Sequence, residues 1–318
     1  MTELLDGNNL GHLLKAGSYL KEGRLVAFPT ETVYGLGASI YIPSAIRSIF
    51  QTKGRASDNP LIAHISSIQQ VQELAVEIPD DFFLLANHFF PGPLTIVLKK
   101  HPSISPIVSG GQESIAFRMP NHPIARQLIE IVGEPLVAPS ANLSGRPSST
   151  NARHVLDDFH GKIAAVIDGG PSEIGLESTV LSLHNGRPLL LRPGSIRKES
   201  LESVLKKTIP ILDKKVDPSS PVLSPGLKYR HYAPNAKVLL FYSIQEVLSH
   251  CLRTPSKKRL LLSNLPLPSL HYSPLTDSSL YASLRYADHC SCEEVVVFLD
   301  PEVLNNIALL NRLERAAE

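Results

Sequence analysis

The sequence predicts an α/β protein of two domains, a twisted mixed sheet with packed helices followed by a small three-layer α/β unit. Three observations support this prediction. The chain has 318 residues, and about 150 residues per domain corresponds to two domains. Extended apolar runs alternate with amphipathic stretches over most of its length. A Pro-, Ser- and Lys-rich stretch at 206–226 then divides the two patterned regions.

The first region contains extended apolar runs that predict eight strands. They cover residues 25–29, 61–65, 94–100, 114–119, 136–140, 163–168, 178–183 and 188–192. Apolar residues at helical spacing predict helices ahead of Gly23, from Pro43 to the C-cap residue Gly54, and over 123–132. Because strands adjoin without an intervening helix in two places, we expect a mixed sheet and not a strict βαβ repeat.

The second region alternates strand and helix three times. Strands are predicted at 237–243, 258–264 and 294–300, and helices at 244–253, 278–290 and up to 317. Such alternation is typical of a parallel sheet in a three-layer, Rossmann-like unit. No GxGxxG motif follows these strands, so a dinucleotide site has no support here. The predicted boundaries are a domain at 1–205, a linker or lid at 206–235 and a small domain at 236–318.

Charge and hydropathy exclude several functional classes. Lys and Arg number 31 and Asp and Glu 30, and this net charge of +1 disfavours a nucleic-acid coat or a polybasic membrane binder. No apolar run reaches the ~18 residues of a membrane span, and the acidic N-terminus is unlike a signal peptide. Cys251, Cys290 and Cys292 lack the paired spacing of a structural zinc site. The sequence therefore predicts a cytoplasmic protein with reduced thiols, no protein-bound metal, and no membrane or DNA partner.

Polar side chains concentrate where predicted strands end, which is where α/β folds bind ligands. The stretch KGRASDNPLIAH places Lys53, Arg55, Asn59 and His64 around one helix end and the next strand. A lysine and an arginine two residues apart can both reach one polyphosphate. Taken alone, however, this spacing more often marks a solvated basic turn.

The stretch VAPSANLSGRPSST follows a buried strand and is rich in small hydroxyls and amides. Ser140, Asn142 and Ser148 can donate hydrogen bonds to phosphate or ribose oxygens without adding bulk. The same stretch also suits a turn followed by a helix that Thr150 or Asn151 caps. The residues alone do not decide between a ligand loop and a capped helix start.

Further polar residues lie at the ends of other strands. Arg118 ends a strand whose alternation buries Ile115 and Phe117, so it is either a rim charge or a carboxylate anchor. Ser178 and Arg192 begin and end later strands, and PTETVYGLG supplies threonines and glycines that we expect to approach a ligand closely. Together with the Lys–Arg pair above, these cations predict a site for an anionic small molecule. No Walker motif, Ser-His-Asp order or metal-ligand motif accompanies them.

These motifs, in this order, closely resemble the threonylcarbamoyl-AMP synthase family in its long, two-domain form. The resemblance rests on PTETVYGLG, KGRASDNPLIAH, FPGPLTIVLKK, ESIAFRMPNHP, APSANLSGRPS, IDGG, GLESTV, LLRPG, SPGLKYRHYAP and the closing NRLERAA. Ala56 and Leu227 replace a usual proline and methionine, at positions not expected to contact substrate. The resemblance implies a YrdC-like catalytic fold with a positively charged cavity, followed by the small α/β domain.

The resemblance also implies a set of site residues. The implied ATP contacts are Lys53, Arg55, Asn59, Ser114, Ser140, Asn142, Ser148, Arg192, Tyr229 and His231. The implied threonine contacts are Thr32, His64, Arg118, the backbone of Ala138, and Ser178. Tyr229 comes from the linker and is expected to act as a lid on the nucleotide. His64 is either a ligand contact or a base, and no residue is assigned as a nucleophile.

In function, the resemblance implies a nucleotidyltransferase that makes L-threonylcarbamoyladenylate and pyrophosphate from L-threonine, bicarbonate and ATP, with Mg²⁺. Partner proteins would then transfer the threonylcarbamoyl group to tRNA. One alternative, a carbamoyl-adenylate-forming domain, would need zinc-finger and acylphosphatase-like segments for which this chain has neither room nor cysteines. A second alternative, a double-stranded-RNA-binding module, would need a basic surface, and the net charge of +1 argues against it.

Overall fold

The structure is a computed structural model, and it describes residues 1–212 and 231–318. The described residues divide into two compact units. The sheet unit comprises residues 1–144 and 149–212, and the C-terminal unit comprises residues 145–148 and 231–318. The short segment 145–148 thus groups with the C-terminal unit, although the chain on both sides of it belongs to the sheet unit.

Within residues 1–212, the sheet unit has ten strands and seven helices. The strands are β1 (Glu3–Asp6), β2 (Val26–Phe28), β3 (Gly35–Ser39), β4 (Ile62–His64), β5 (Leu94–Lys99), β6 (Ser114–Arg118), β7 (Leu136–Val137), β8 (Ala165–Asp168), β9 (Thr179–Ser182) and β10 (Leu189–Arg192). The helices are α1 (Leu10–Lys21), α2 (Pro43–Lys53), α3 (Ile68–Leu74), α4 (Asp80–Phe89), α5 (Pro123–Val132), α6 (Ala152–Phe159) and α7 (Lys198–Leu205). The strands form one sheet in the order β1-β8-β2-β3-β7-β4-β6-β5-β9-β10.

The sheet is mixed, which confirms the predicted fold class. It contains parallel pairs, such as β4 with β6 and β5 with β9, and antiparallel pairs, such as β2 with β3 and β5 with β6. Apolar side chains cover both faces, in one cluster that includes Phe82 and Phe117 and another that includes Phe28 and Leu128. Burial on both faces explains why these strands read as nearly continuous apolar runs.

The helix ends follow from the capping residues in the sequence. Pro43 opens α2, and Gly54 ends it in the left-handed conformation with φ 61°, as predicted. Gly133 ends α5 in the same way with φ 82°. The side chain of Asn151 accepts a hydrogen bond from the His154 amide at 2.9 Å and so caps α6. The capped-helix interpretation of this stretch is therefore confirmed at Asn151.

The prediction missed two strands, β1 and β3. β1 is a four-residue edge strand in which Leu4 is exposed and Leu5 is buried, too short a pattern to identify from sequence. β3 contains the glycines that were expected to approach a ligand. A Cβ at Gly37 would lie only 2.8 Å from Cε1 of Phe28, so this glycine makes room for an aromatic ring of the core. The structure thus gives Gly37 a packing role in the core, and its expected approach to a ligand stays a prediction.

The C-terminal unit contains a second sheet. Its elements are β11 (Lys237–Phe241), α8 (Ile244–Arg253), β12 (Arg259–Leu262), α9 (Leu280–His289), β13 (Glu294–Phe298), α10 (Pro301–Asn305) and α11 (Ile307–Ala317). The three strands are parallel, in the order β11-β13-β12, which confirms the small parallel α/β unit. Ser243 and Glu246 form a capping box that starts α8 where the sequence predicts it. In the described ranges, no helix has the length and apolar character to cross a bilayer.

Candidate functional site

A cluster of buried polar side chains lies where β4 and β6 end. His64 and Arg118 are paired in register in these parallel strands. Arg118 is 4% exposed, and its Nη2 lies 2.7 Å from Oε2 of Glu31 and 3.5 Å from Oγ1 of Thr30. The Thr30 hydroxyl lies in turn 3.0 Å from the hydroxyl of Thr32. The structure therefore brings together three predicted residues, Thr32, His64 and Arg118.

His64 is a neutral hydrogen-bonding group in this cluster. Its ring packs edge-on against Phe28, and its Nδ1 lies 3.2 Å from the carbonyl oxygen of Ile62. Burial, and then the charge of Arg118, lower the pKa of His64 to about 3, although the contact with the Ile62 carbonyl acts to raise it. A proton on Nδ1 satisfies that carbonyl and leaves Nε2 as an acceptor. His64 can therefore accept a hydrogen bond from a ligand hydroxyl.

Ser178 and Arg192 form a second set of contacts at β9 and β10. Arg192 donates to the Ser178 carbonyl from Nε at 3.2 Å and from Nη2 at 2.9 Å, and Nη2 also donates to the Ser178 hydroxyl at 3.3 Å. That hydroxyl lies 2.7 Å from the hydroxyl of Thr95 in β5. A Cβ at Gly194 would collide with the amide nitrogen of Thr179. The glycine of the LLRPG motif thus allows the close approach that holds Arg192 against Ser178.

Lys53 connects the end of α2 to the serine-rich loop. Lys53 is 3% exposed, and its Nζ donates to the carbonyl oxygen of Ser140 at 2.5 Å and to that of Asn142. The amide of Ser144 donates back to the Lys53 carbonyl at 2.9 Å. These bonds fix the backbone of the loop. Lys53 therefore positions this loop, and the phosphate contact that the sequence predicts for it stays a prediction.

The loop after α2 carries Arg55 and Asn59, and Ser114 starts β6. Nη2 of Arg55 donates to the carbonyl of Pro60 at 3.0 Å. Asn59 is 2% exposed, and its Oδ1 has no hydrogen-bond partner among residues 1–212 and 231–318. A buried amide oxygen without a partner calls for a ligand or an ordered water. Asn59 is thus the residue of this loop whose geometry most directly indicates a binding role.

The remaining predicted site residues belong to different parts of the chain. The amide of Ala138 donates to the carbonyl of Ile62 at 3.0 Å, so only its own carbonyl is left to contact a ligand. Ser148 and His231 belong to the C-terminal unit; Ser148 is buried and His231 is half-buried. Tyr229 lies outside the described residues.

Two residues of the PTETVYGLG motif, to which the sequence analysis assigned no role, contribute to this region. Glu31 is the acid of the PTETVYGLG motif, and an acid between two threonines close to predicted cations was the signal that could have identified it. The Tyr34 hydroxyl donates to the Gly170 carbonyl at 2.7 Å and accepts from the Gly169 amide at 3.2 Å. Burial raises the pKa of the Tyr34 phenol well above its usual range. Tyr34 therefore anchors the IDGG motif and remains protonated.

The fold and the site define an α/β protein that binds an anionic small molecule. Buried cations and hydroxyls from separate strand ends suit a carboxylate and a phosphate chain. Within the described part of the chain, no group of three or more His, Cys, Asp or Glu residues is arranged to hold a metal ion.

Comparison with known proteins identifies the family. The family model described as "Telomere recombination" matches residues 18–194, and the model described as "Threonylcarbamoyl-AMP synthase, C-terminal domain" matches residues 196–318. The chain belongs to the threonylcarbamoyl-AMP synthase family, in its two-domain form, as its motifs predict.

Individual relatives agree with this assignment. The threonylcarbamoyl-AMP synthase of Pyrococcus abyssi is 40% identical over 319 residues, covering 95% of this chain and 93% of that protein. The Bacillus subtilis protein of the same name is 41% identical over 323 residues, with 96% and 92% covered. The solved structure of P. abyssi Sua5 complexed with L-threonine matches with a TM-score of 0.91 and 38% identity, covering 100% of this chain and 97% of that chain.

Proposed function

We propose that this protein is an L-threonylcarbamoyladenylate synthase that combines L-threonine, bicarbonate and ATP and releases pyrophosphate. The observation that carries the proposal is the buried cluster of Thr32, His64 and Arg118. It offers a cation for a carboxylate and a neutral acceptor for a hydroxyl, and L-threonine has both groups. The names of the relatives and the threonine complex of P. abyssi Sua5 support the same substrate.

In the proposed threonine site, Arg118 holds the substrate carboxylate. Its Nε is buried and lacks a hydrogen-bond partner in the described ranges, so a donor is available there. Nε2 of His64 accepts a hydrogen bond from the threonine hydroxyl. Thr32 and Ser178 add hydroxyls, and Ala138 adds a backbone carbonyl.

The proposed ATP site uses the loops that Lys53 organises. Its contacts are Arg55, Asn59, Ser114, Ser140, Asn142, Ser148 and Arg192, with Tyr229 and His231 from the linker. Mg²⁺ enters with the phosphates of ATP, as part of the substrate. A carbamate oxygen attacks the α-phosphorus and pyrophosphate leaves, so both reactants are anionic. Cations that bring them together supply the catalysis by positioning and electrostatics, without a covalent protein intermediate.

Pyrophosphate release from ATP tests this proposal. It should require both L-threonine and bicarbonate, and L-serine should be a poorer substrate by ~1–3 kcal/mol, because it lacks one methyl group. Equal rates without any amino acid would contradict the assignment. Release that depends on carbamoyl phosphate instead would indicate a carbamoyl-adenylate enzyme, and salt-sensitive RNA binding without adenylation would indicate an RNA-binding module.

We further propose that residues 1–205 form the catalytic domain, that 206–235 act as a lid, and that the product passes in the cytoplasm to proteins that modify tRNA. Replacing Tyr229→Ala should raise the ATP concentration needed for half-maximal rate, without a comparable loss in Tm. The matched control is Tyr242→Ala, because Tyr242 is 65% exposed in the C-terminal unit. If the ATP concentration for half-maximal rate is unchanged in the Tyr229 variant, the linker only connects the two domains and does not act as a lid.

A further inference from the structure

Among the residues assigned so far to L-threonine, none carries a negative charge that could pair with its ammonium group. L-Threonine enters with this group protonated, and a protonated nitrogen has no lone pair with which to attack a carbon atom. The proposed reaction therefore needs a group that binds the ammonium and removes one proton. His64 is a weak base, since its pKa is lowered to about 3.

Glu31 is held rigidly beside the residue that we assign to the substrate carboxylate. Its side chain is 5% exposed, and Oε2 lies 2.7 Å from Nη2 of Arg118. Its carbonyl accepts from the Ile174 amide at 2.8 Å. The Thr30 hydroxyl accepts from the amides of Thr32 and Val33, each at 3.3 Å. The backbone on both sides of Glu31 is therefore fixed, and its carboxylate is directed by the fold.

The ion pair between Glu31 and Arg118 is incomplete. Oε1 of Glu31 and Nε of Arg118 are both buried, and neither has a hydrogen-bond partner in the described part of the chain. Buried polar atoms are rarely left in this state unless a ligand or water completes them. An α-amino acid carries an ammonium and a carboxylate on the same carbon atom. Oε1 of Glu31 can accept a hydrogen bond from the ammonium, and Nε of Arg118 can donate one to the carboxylate.

We propose that Glu31 binds the ammonium group of L-threonine and accepts its proton before the carbamate forms; this inference rests on the proposed function. The N–H bond breaks and an O–H bond forms on Glu31. The freed nitrogen lone pair forms a C–N bond with bicarbonate. The carbon–hydroxyl bond breaks, and the hydroxide leaves as water with a second proton from nitrogen. Glu31 then releases its proton to solvent, so the net products are carbamate, water and one proton.

Other charged groups near Glu31 do not compete for this role. His64 remains neutral, because its pKa is lowered to about 3. Burial lowers the pKa of His122 more than the nearby carboxylates of Glu31 and Glu173 raise it. Transfer of a proton from ammonium to carboxylate neutralises two buried charges, which a desolvated site favours.

Binding tests the ammonium contact without turnover. L-Threonine is compared by calorimetry with 2,3-dihydroxybutanoate, which keeps the carboxylate and the side-chain hydroxyl but has a hydroxyl in place of the ammonium. The unmodified protein should prefer threonine at least about tenfold, and Glu31→Gln should lose most of that preference. The matched control Glu134→Gln should keep it, because Glu134 contacts the Ser39 hydroxyl and not the cluster.

Turnover tests the proton transfer. At pH 7 Glu31→Gln should lower kcat for pyrophosphate release by about 100-fold or more. Its rate should then rise with pH and level off above the pKa of the substrate amine, because solution supplies the deprotonated amine that the variant cannot generate. The unmodified protein and Glu134→Gln should show a flatter profile. Glu31→Asp keeps a carboxylate at a displaced position and should retain the preference for threonine with a reduced kcat.

The outcomes separate this inference from the proposed function. Pyrophosphate release that does not need threonine and bicarbonate in the unmodified protein overturns the function, whatever Glu31 does. A Glu31→Gln protein with a kcat within about threefold of normal and an unchanged pH profile overturns the proton transfer. Should Glu31→Gln fail to fold, the unmodified protein still decides the ammonium contact, since equal affinity for threonine and 2,3-dihydroxybutanoate overturns it.

Discussion

Two buried carboxylates, one in each compact unit, are surrounded by cations in different ways. Glu294 starts β13 and is 1% exposed. Nε2 of His250 and Nε of Arg259 lie 3.0 Å from its Oε1, and Nζ of Lys257 lies 3.3 Å from its Oε2. Burial acts to raise the pKa of Glu294, but the hydrogen bonds from His250 and Lys257 outweigh it and hold the pKa below its usual value. Both oxygens of this carboxylate are therefore satisfied by the fold.

Glu31 has the opposite arrangement. Within the described ranges it has one cationic partner, Arg118, which lies at ion-pair distance from Oε2 and leaves Oε1 without any polar partner. A charge cluster that stabilises a fold satisfies its own atoms, whereas a binding site leaves atoms for the ligand to satisfy. The difference between Glu294 and Glu31 thus separates a structural ion cluster from a binding one, although both are buried.

Removing the Glu294 carboxylate should have the largest effect. Glu294→Ala leaves cations near the start of β13 without their counter-ion and should lower the stability of the C-terminal unit by about 3–5 kcal/mol. Hydrogen exchange of the β13 amides measures this locally, and L-threonine affinity should not change. Glu302→Ala, an exposed acid on α10, is the control and should stay within about 0.5 kcal/mol. Unchanged exchange in the Glu294 variant would show that its ion cluster contributes no stability.

Removing Arg118 should affect binding more than folding. Arg118→Ala should weaken L-threonine binding by about 2–4 kcal/mol, the range for truncating one member of a buried charged pair. ATP affinity should change far less. Calorimetry checks both, with Arg153→Ala as control, because the Arg153 side chain is 82% exposed on α6. Unaltered threonine affinity would make Arg118 a structural partner of Glu31 only.

The local structure was largely predictable because it depends on local signals. Helix α5 lies where the apolar spacing and the prolines and glycines predict it, and α2 ends at the predicted glycine, Gly54. β3 was not predictable, because its glycines resemble a loop until Phe28 from the neighbouring strand packs against them. Strand β3 depends on this contact with a neighbouring strand, and the sequence of one segment carries no information about such a contact.

The same distinction applies to the site. The family resemblance predicted Thr32, His64 and Arg118 as threonine contacts, and each follows or ends a predicted strand. The motifs did not reveal that Glu31 pairs with Arg118 or that Lys53 binds the carbonyls of the serine-rich loop. Those contacts join segments far apart in the chain, and only the order of strands in the sheet brings them together.

The smallest expected effect concerns His64 and the pH dependence of threonine binding. An ordinary histidine titrates near pH 6.5, and an imidazolium beside Arg118 would change the attraction for a carboxylate. Because burial lowers the pKa of His64 to about 3, the ring stays neutral from pH 5.5 to 7. Neither charged group of threonine titrates in that range, so its Kd should vary by less than about twofold.

Calorimetry in buffers of different ionisation enthalpy measures the affinity and the protons exchanged on binding at once. We expect almost no proton exchange. His122→Gln is the control, because His122 also lies near Glu31 and burial lowers its pKa as well. The opposite result is a Kd that changes more than about fivefold, together with proton uptake on binding. If His122→Gln keeps this proton uptake and His64→Gln abolishes it, then His64 is charged in the complex. The hydroxyl of threonine would then need another acceptor, because a doubly protonated ring has none.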